Sequence, residues 1–157
     1  MGSKTFEMRQ IGAIRRTDGG IRLEIDRAYR HALKQLDSFS HVMVFWWAHG
    51  LDAEEWRAML QTDPPYAPGH TTGVFATRAP YRPNPIAVTT CKLLSLDEES
   101  GVIEVADIDA LDETPIVDLK AYFPVCDRVQ DATMPDWLEG WPEWMPDTGL
   151  GLEEYEQ

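Results

Sequence analysis

The sequence is short of long apolar runs. Its longest, Val42–Ala48, covers seven residues, whereas a helical membrane span needs about 20, so no membrane partner is expected. The amino terminus, MGSKTFEMRQ, has no apolar core of the kind a signal peptide carries. Phe6 stands where a myristoylation pattern needs Ser or Thr. Cysteine is scarce. Cys91 and Cys126 are the only two, both in strand-like contexts, which suits buried thiols better than a disulfide and points to a cytoplasmic location. There is no G-x-G-x-x-G, P-loop, nucleophile elbow or H-E-x-x-H. The four histidines are spread along the chain. His41 and His49 bracket one predicted strand, so the spacing does not suit zinc and no metal is expected. Basic residues are few as well: 14 against 27 acids, a net charge of −13. Residues 131–157 hold eight acids and no base, which leaves −5 for residues 1–130. The chain as a whole does not advertise a polyanion partner, although Arg9, Arg15, Arg16, Arg22, Arg27 and Arg30 could form a local patch.

What is present describes one ordinary domain of 157 residues, with 43% hydrophobic and 10% aromatic residues, too apolar for disorder to be the default. Phe6–Arg15 alternates loosely and predicts a strand. Thr17–Gly20 reads as a hairpin turn, with Ile21, Leu23 and Ile25 on one face of the returning strand. Asp26 is placed to cap a helix through Tyr29, Leu33 and Leu36. Val42–Ala48 predicts a strand buried on both faces. Asp52–Gln61 predicts a short helix capped by Asp52, and 62–72 a Pro-rich loop. Gly73–Ala76, Ile86–Leu96, Val102–Ile108 and Ile116–Phe123 predict further strands. No βαβ alternation appears. The predicted fold class is therefore mainly β: a small, mostly antiparallel β-barrel with one short helix and an irregular C-terminal extension. Residues 1–130 form the barrel domain. Residues 131–157 form an acidic, Trp- and Pro-rich extension, too apolar for a free tail, that docks on the barrel or on a partner subunit.

Two stretches can carry chemistry. Gly73–Val88, GVFATRAPYRPNPIAV, packs Arg78, Arg82 and Asn84 among three prolines, each of which fixes one φ and disfavours helix before it. Such a stiff loop either presents donors to a ligand or is a structural crossover with its arginines in solvent. Asp107–Tyr122, DIDALDETPIVDLKAY, is either a solvated acidic turn or a site where Asp112 accepts from a hydroxyl or amino group.

Together these two stretches resemble the paired motifs of the TrmO family (YaeB-like or TsaA-like) of S-adenosylmethionine-dependent methyltransferases. The usual family forms are close to GVFATRSPFRPNPIG and LDGTPVLDIKPY, and FSHVMVFWWAH also looks like the family's FSH-strand-His segment. The resemblance runs from about Phe6 to about Phe123. It implies an enzyme with S-adenosyl-L-methionine as methyl donor, usually a homodimer, acting on N6 of the threonylcarbamoyl-adenosine just 3′ of a tRNA anticodon. Carried over position by position, the donor site comprises His49, Gly50, Arg78, Val88, Asp112, Glu113, Thr114 and Pro115. Arg82, Asn84 and Lys120 would shape the loop or face the acceptor. Arg78 suits the donor's carboxylate or a substrate anion rather than the sulfonium, and Asp118 and Tyr122 are the candidates for a general base, should one be used.

The sequence departs from the family pattern in three places. Glu113 stands where the family usually has Gly, Gly50 where many members have a polar residue, and Ile14–Gly20 has no clear counterpart of the Pro-Arg-Gln segment of longer members. The additional C-terminal domain of the long members, associated with tRNA binding, is not expected here, the acidic extension being expected in its place. Two alternatives follow: a methyltransferase of a small-molecule acceptor, and a non-catalytic module that binds S-adenosylmethionine.

Overall fold

A two-residue turn between Thr17 and Gly20, with Gly20 at φ +123, joins β1 (Gly12–Thr17) to β2 (Gly20–Ile25) in a hairpin. The computed structural model describes residues 2–149. The remaining elements are β3 (His41–Trp47), α1 (Glu54–Arg57), β4 (Gln61–Thr62), β5 (Thr72–Gly73), β6 (Ile86–Asp97), β7 (Val102–Val105), β8 (Pro115–Ala121) and α2 (Pro124–Asp127). Strands β1-β2-β7-β6-β3-β8 close into an antiparallel barrel, because β8 pairs back onto β1. Closure removes the exposed strand edges that a small sheet would otherwise leave. The short β4–β5 ladder lies apart from it.

Alternation fills the barrel. Ile14, Leu23, Val42, Val44, Cys91, Ile103, Val105 and Ile116 are all buried in one cluster, each apolar side chain contributing about 1.5–3 kcal/mol of transfer free energy. Gly12 pairs with both Ile25 and Ile116. A Cβ there would sit 2.3 Å from the Glu24 carbonyl, so the close approach of β1 and β2 requires glycine. The Trp46 indole, also inside, donates to Thr89 Oγ1 at 3.1 Å, and that hydroxyl donates to Asp109. Burial pushes the Cys91 thiol far above its ordinary value, and Asp109 and Asp107 add to the shift.

Several local expectations are corrected. The first strand begins at Gly12, not Phe6, and Phe6 is 83% exposed. Its partner β2 ends at Ile25, opposite Gly12, so the residues upstream have no β2 ladder to join. The segment after Asp26 forms two 3-10 stretches, Arg27–Leu33 and Leu36–Ser38, with no side-chain cap from Asp26. Gln35, at φ 70, separates them. The helix expected over Asp52–Gln61 shrinks to α1, because Asp52 accepts the Trp47 indole N–H (2.9 Å) instead of capping. β3 is not buried on both faces: Val42, Val44 and Trp46 point inward, while Met43, Phe45 and Trp47 form a half-buried outer face. Of the strand expected over Gly73–Ala76, only Gly73 is in one, at the end of β5. After β5 the chain turns through a 3-10 stretch at Val74–Ala76, where the Val74 carbonyl accepts from Thr77 Oγ1 (2.8 Å) and from Arg82 rather than from a neighbouring strand.

The extension begins beyond α2 and touches the rest of the chain at named points. Trp137 stacks on Tyr66 (6.4 Å) and on His70 (6.2 Å), Trp141 meets Tyr66 edge-on (5.1 Å), and Asp147 pairs with Lys92 (3.0 Å). The part of the 131–157 expectation from residue 150 onward lies outside the described residues.

Candidate functional site

Three strand ends meet at one end of the barrel: the finish of β3 and the starts of β6 and β8. Trp47 is opposite Ile86 and Trp46 opposite Ile116, so the segment leaving β3 lies beside those entering β6 and β8. The Ala48 amide extends this by donating to Pro85 O at 2.9 Å. His49 and Gly50, both exposed, follow directly in a 3-10 turn. This end therefore collects His49 and Gly50, the loop of Arg78, Arg82 and Asn84, and the Asp112–Pro115 turn. Val88 sits slightly further along β6, on the outer face opposite Phe45.

Each wall is fixed by its own hydrogen bonds. In the Asp112–Pro115 turn, Ile14 N donates to Thr114 O (2.9 Å) and Glu113 N to Ile14 O (2.8 Å), stitching the turn to β1. Asp112 Oδ1 accepts from the Arg16 amide (2.8 Å), and the Arg16 guanidinium donates to Ala110 O (2.6 Å) and Ile108 O. Thr114 is buried. Glu113 holds φ 64 and reaches Arg15 (3.0 Å), which also pairs with Glu24 (3.3 Å). Those hydrogen bonds, Glu24 first and Glu113 second, raise the Arg15 pKa.

The Arg78 loop is braced from within. Arg82 Nη2 donates to Val74 O (2.5 Å) and Thr77 O (3.1 Å), bridging the loop from inside. Arg57 donates to Pro83 O (2.8 Å) and to Asn84 Oδ1 (3.3 Å), and its guanidinium lies 6.0 Å from the Trp47 ring centre. Arg78 itself is exposed and has no hydrogen-bond or ion-pair partner among the described residues. A rigid loop carrying an unmatched guanidinium presents an anion-binding group in a set direction.

The other candidates lie elsewhere. Asp118 faces outward opposite Phe45 and pairs with Lys120 (3.0 Å), whose ammonium lies 5.8 Å from the Phe45 ring centre. Tyr122 follows β8 beside His41, with its amide on His41 O (3.1 Å) and its ring 6.2 Å from the imidazole. His41 starts β3 and His49 follows its end. The strand between them is seven residues long, about 20 Å, so one chain does not bring Tyr122 to the end that holds His49 and Asp112. Sequence reasoning gave no role to Arg57, Thr62 or Tyr81, nor to the Thr89–Asp109 pair. Their partners are distant in sequence and no spacing signals them. Among the described residues no group of three or more His, Cys, Asp or Glu is arranged to hold a metal ion, and no helix is long and apolar enough to cross a membrane.

The fold and site define a class: a small closed antiparallel barrel whose polar crossover loops gather at one end, with no doubly wound nucleotide-binding sheet. Residues 5–128 match the model of the tRNA-methyltransferase O N-terminal domain, and the chain belongs to that family. It is 32% identical over 130 residues to a probable S-adenosyl-L-methionine-binding protein of Pyrococcus abyssi, covering 83% of this chain and 65% of that one. It is 31% identical over 128 residues to the tRNA (adenine(37)-N6)-methyltransferase of Escherichia coli, covering 80% of this chain and 54% of that enzyme. The crystal structure of TrmO from Pseudomonas aeruginosa superposes with a TM-score of 0.64 at 28% identity, over 83% of this chain and 61% of that one. The chain thus spans less than two thirds of the length of each of these relatives.

Proposed function

We propose that this chain is an S-adenosylmethionine-dependent methyltransferase acting on N6 of the adenine next to the tRNA anticodon, in its threonylcarbamoylated form. The observation that carries the reading is the convergence of the Arg78 loop and the Asp112–Pro115 turn on one barrel end. The residues there suit the donor. Arg78 offers an unmatched cation to a carboxylate, and Asp112 keeps Oδ2 without a partner among the described residues, available to accept from a hydroxyl or amino group. When bound, S-adenosylmethionine supplies a methyl group activated by its sulfonium.

The protein's own contribution is alignment. Arg78 fixes the donor's carboxylate end away from the sulfonium, which a guanidinium would repel. The Asp112–Pro115 turn, hydrogen-bonded to β1, holds its polar contacts in place before either substrate arrives. Tyr122 is remote from that end within one chain, and Asp118, level with Val88 across Phe45, is paired with Lys120, so no general base is assigned. The family's homodimer belongs to this reading, with the half-buried outer face of β3 as the surface that meets a second copy. A methyltransferase of a small-molecule acceptor is the second reading, favoured by the net charge of −13.

Incubation with isotope-labelled donor and either fractionated tRNA or a metabolite extract, followed by mass spectrometry, separates the two. Arg78→Ala is expected to abolish transfer, while Asp118→Asn and Tyr122→Phe keep it within a few-fold. A loss of about a thousandfold in either conservative variant would instead identify an acid–base group.

A further inference from the structure

The acidic extension is not used by the reading above, yet its tryptophans contact a segment that leads directly to the site. Tyr66, in the Pro-rich loop between β4 and β5, is stacked by Trp137 and met edge-on by Trp141, and Trp137 also stacks on His70. From this loop two routes reach the Arg78 loop. Along the backbone, β4 pairs with β5 (Gln61 opposite Gly73, Thr62 opposite Thr72), and Val74 N donates to Leu60 O at 3.0 Å. The Val74 carbonyl is in turn gripped by Arg82. Through side chains, Thr62 Oγ1 and Tyr81 OH are 2.7 Å apart, and Tyr81 lies between Arg78 and Arg82 in sequence.

We propose that Trp137 and Trp141 are positioning residues for the Arg78 loop: the extension grips Tyr66 and thereby sets the backbone that aims Arg78. The consequence for donor binding rests on the function proposed above; the contacts do not. Because no described side chain pairs with Arg78, its direction comes from the backbone on either side, and that backbone is tied to β4, β5 and Tyr81. Releasing the extension leaves Tyr66 without its aromatic partners, and on that side the loop is held only by the β4–β5 ladder, two residues per strand, and the Thr62–Tyr81 contact. A loop that spends less time in the competent arrangement binds its ligand more weakly by that fraction.

Full-length wild type, Trp137→Ala/Trp141→Ala and Trp137→Phe/Trp141→Phe provide the test, with Trp144→Ala as control because Trp144 lies over Arg128 rather than Tyr66. Hydrogen exchange over residues 72–84 is expected to quicken by about tenfold in the Ala pair, with exchange in β3 and β8 unchanged. The dissociation constant of S-adenosylhomocysteine, by calorimetry, and the KM for donor are expected to rise by about tenfold, with kcat at saturating donor within about twofold. The Phe pair restores both, and Trp144→Ala changes neither. Unchanged exchange over 72–84, a looser loop with unchanged affinity, or loosening that extends to β3 and β8 would each overturn the proposal. Failure of the wild type to bind S-adenosylhomocysteine would overturn the donor-site reading instead, and the exchange comparison would still decide whether the extension holds the loop.

Discussion

Glu113 adopts φ 64, in the left-handed region that costs a residue with a Cβ about 1–2 kcal/mol. The family's glycine at this position avoids that cost. Here the side chain offers partial compensation by pairing with Arg15 at 3.0 Å, but the two side chains are 74% and 38% exposed, and a pair so open to water contributes about 0–1 kcal/mol. The backbone term therefore dominates. Glu113→Ala keeps the strain and removes the pair; Glu113→Gly removes both. In urea unfolding the Gly variant is expected to be more stable than the Ala variant by about 1 kcal/mol, the reverse of their order at an ordinary position. An Ala variant equal to or more stable than Gly would show that the turn relaxes to accommodate a side chain.

At the scale of elements, what the sequence revealed depended on whether neighbours along the chain were also neighbours in space. The β1–β2 and β6–β7 hairpins were legible because a turn signal sits between two alternating runs, and the long crossover with three prolines was legible as a stiff loop. Hidden were pairings between residues far apart in sequence that only the folded chain brings together: Arg16 with Ala110, Arg57 with Pro83, Thr62 with Tyr81, Thr89 with Asp109. Arg82 illustrates the cost. Its sequence context allowed either loop-shaping or contact with the acceptor, and only the fold shows its guanidinium bridging Val74 O and Thr77 O. Removing a donor from two carbonyls in a partly buried turn costs about 1–3 kcal/mol. Arg82→Ala is thus expected to lower unfolding stability by that amount, with Arg82→Lys intermediate because an ammonium does not reproduce the planar fork. Should Arg82→Ala leave stability unchanged and raise only the KM for acceptor, the side chain serves the substrate and the bridge is incidental.

For the whole molecule the charge balance and the proposed acceptor pull in opposite directions. Many of the cations are already engaged with protein acceptors. Among the described residues the side chains of Lys4, Arg9, Arg27, Lys34, Arg78 and Arg128 have no hydrogen-bond or ion-pair partner, Arg128 lying against the Trp144 ring. They are scattered over the amino terminus, the first 3-10 stretch and its C-cap, the Arg78 loop and the end of α2, so a single RNA can engage only a few at once. The acidic extension, tied near the Pro-rich loop by Trp137 and Trp141, adds repulsion on that side. Binding of tRNA is therefore expected to weaken by only about tenfold between roughly 50 and 200 mM salt, as for about two phosphate contacts, rather than by the thousandfold or more of a protein making many. Neutralising Asp136, Glu139 and Glu143 to their amides is expected to tighten tRNA binding at low salt, with affinity for S-adenosylhomocysteine unchanged. Fluorescence anisotropy of a labelled anticodon stem-loop over a salt series measures both. A steep salt slope would reveal a basic face that these scattered cations do not provide. A flat one, combined with methyl transfer to a metabolite fraction, would move the acceptor from RNA to a small molecule while leaving the proposed donor end of the barrel unchanged.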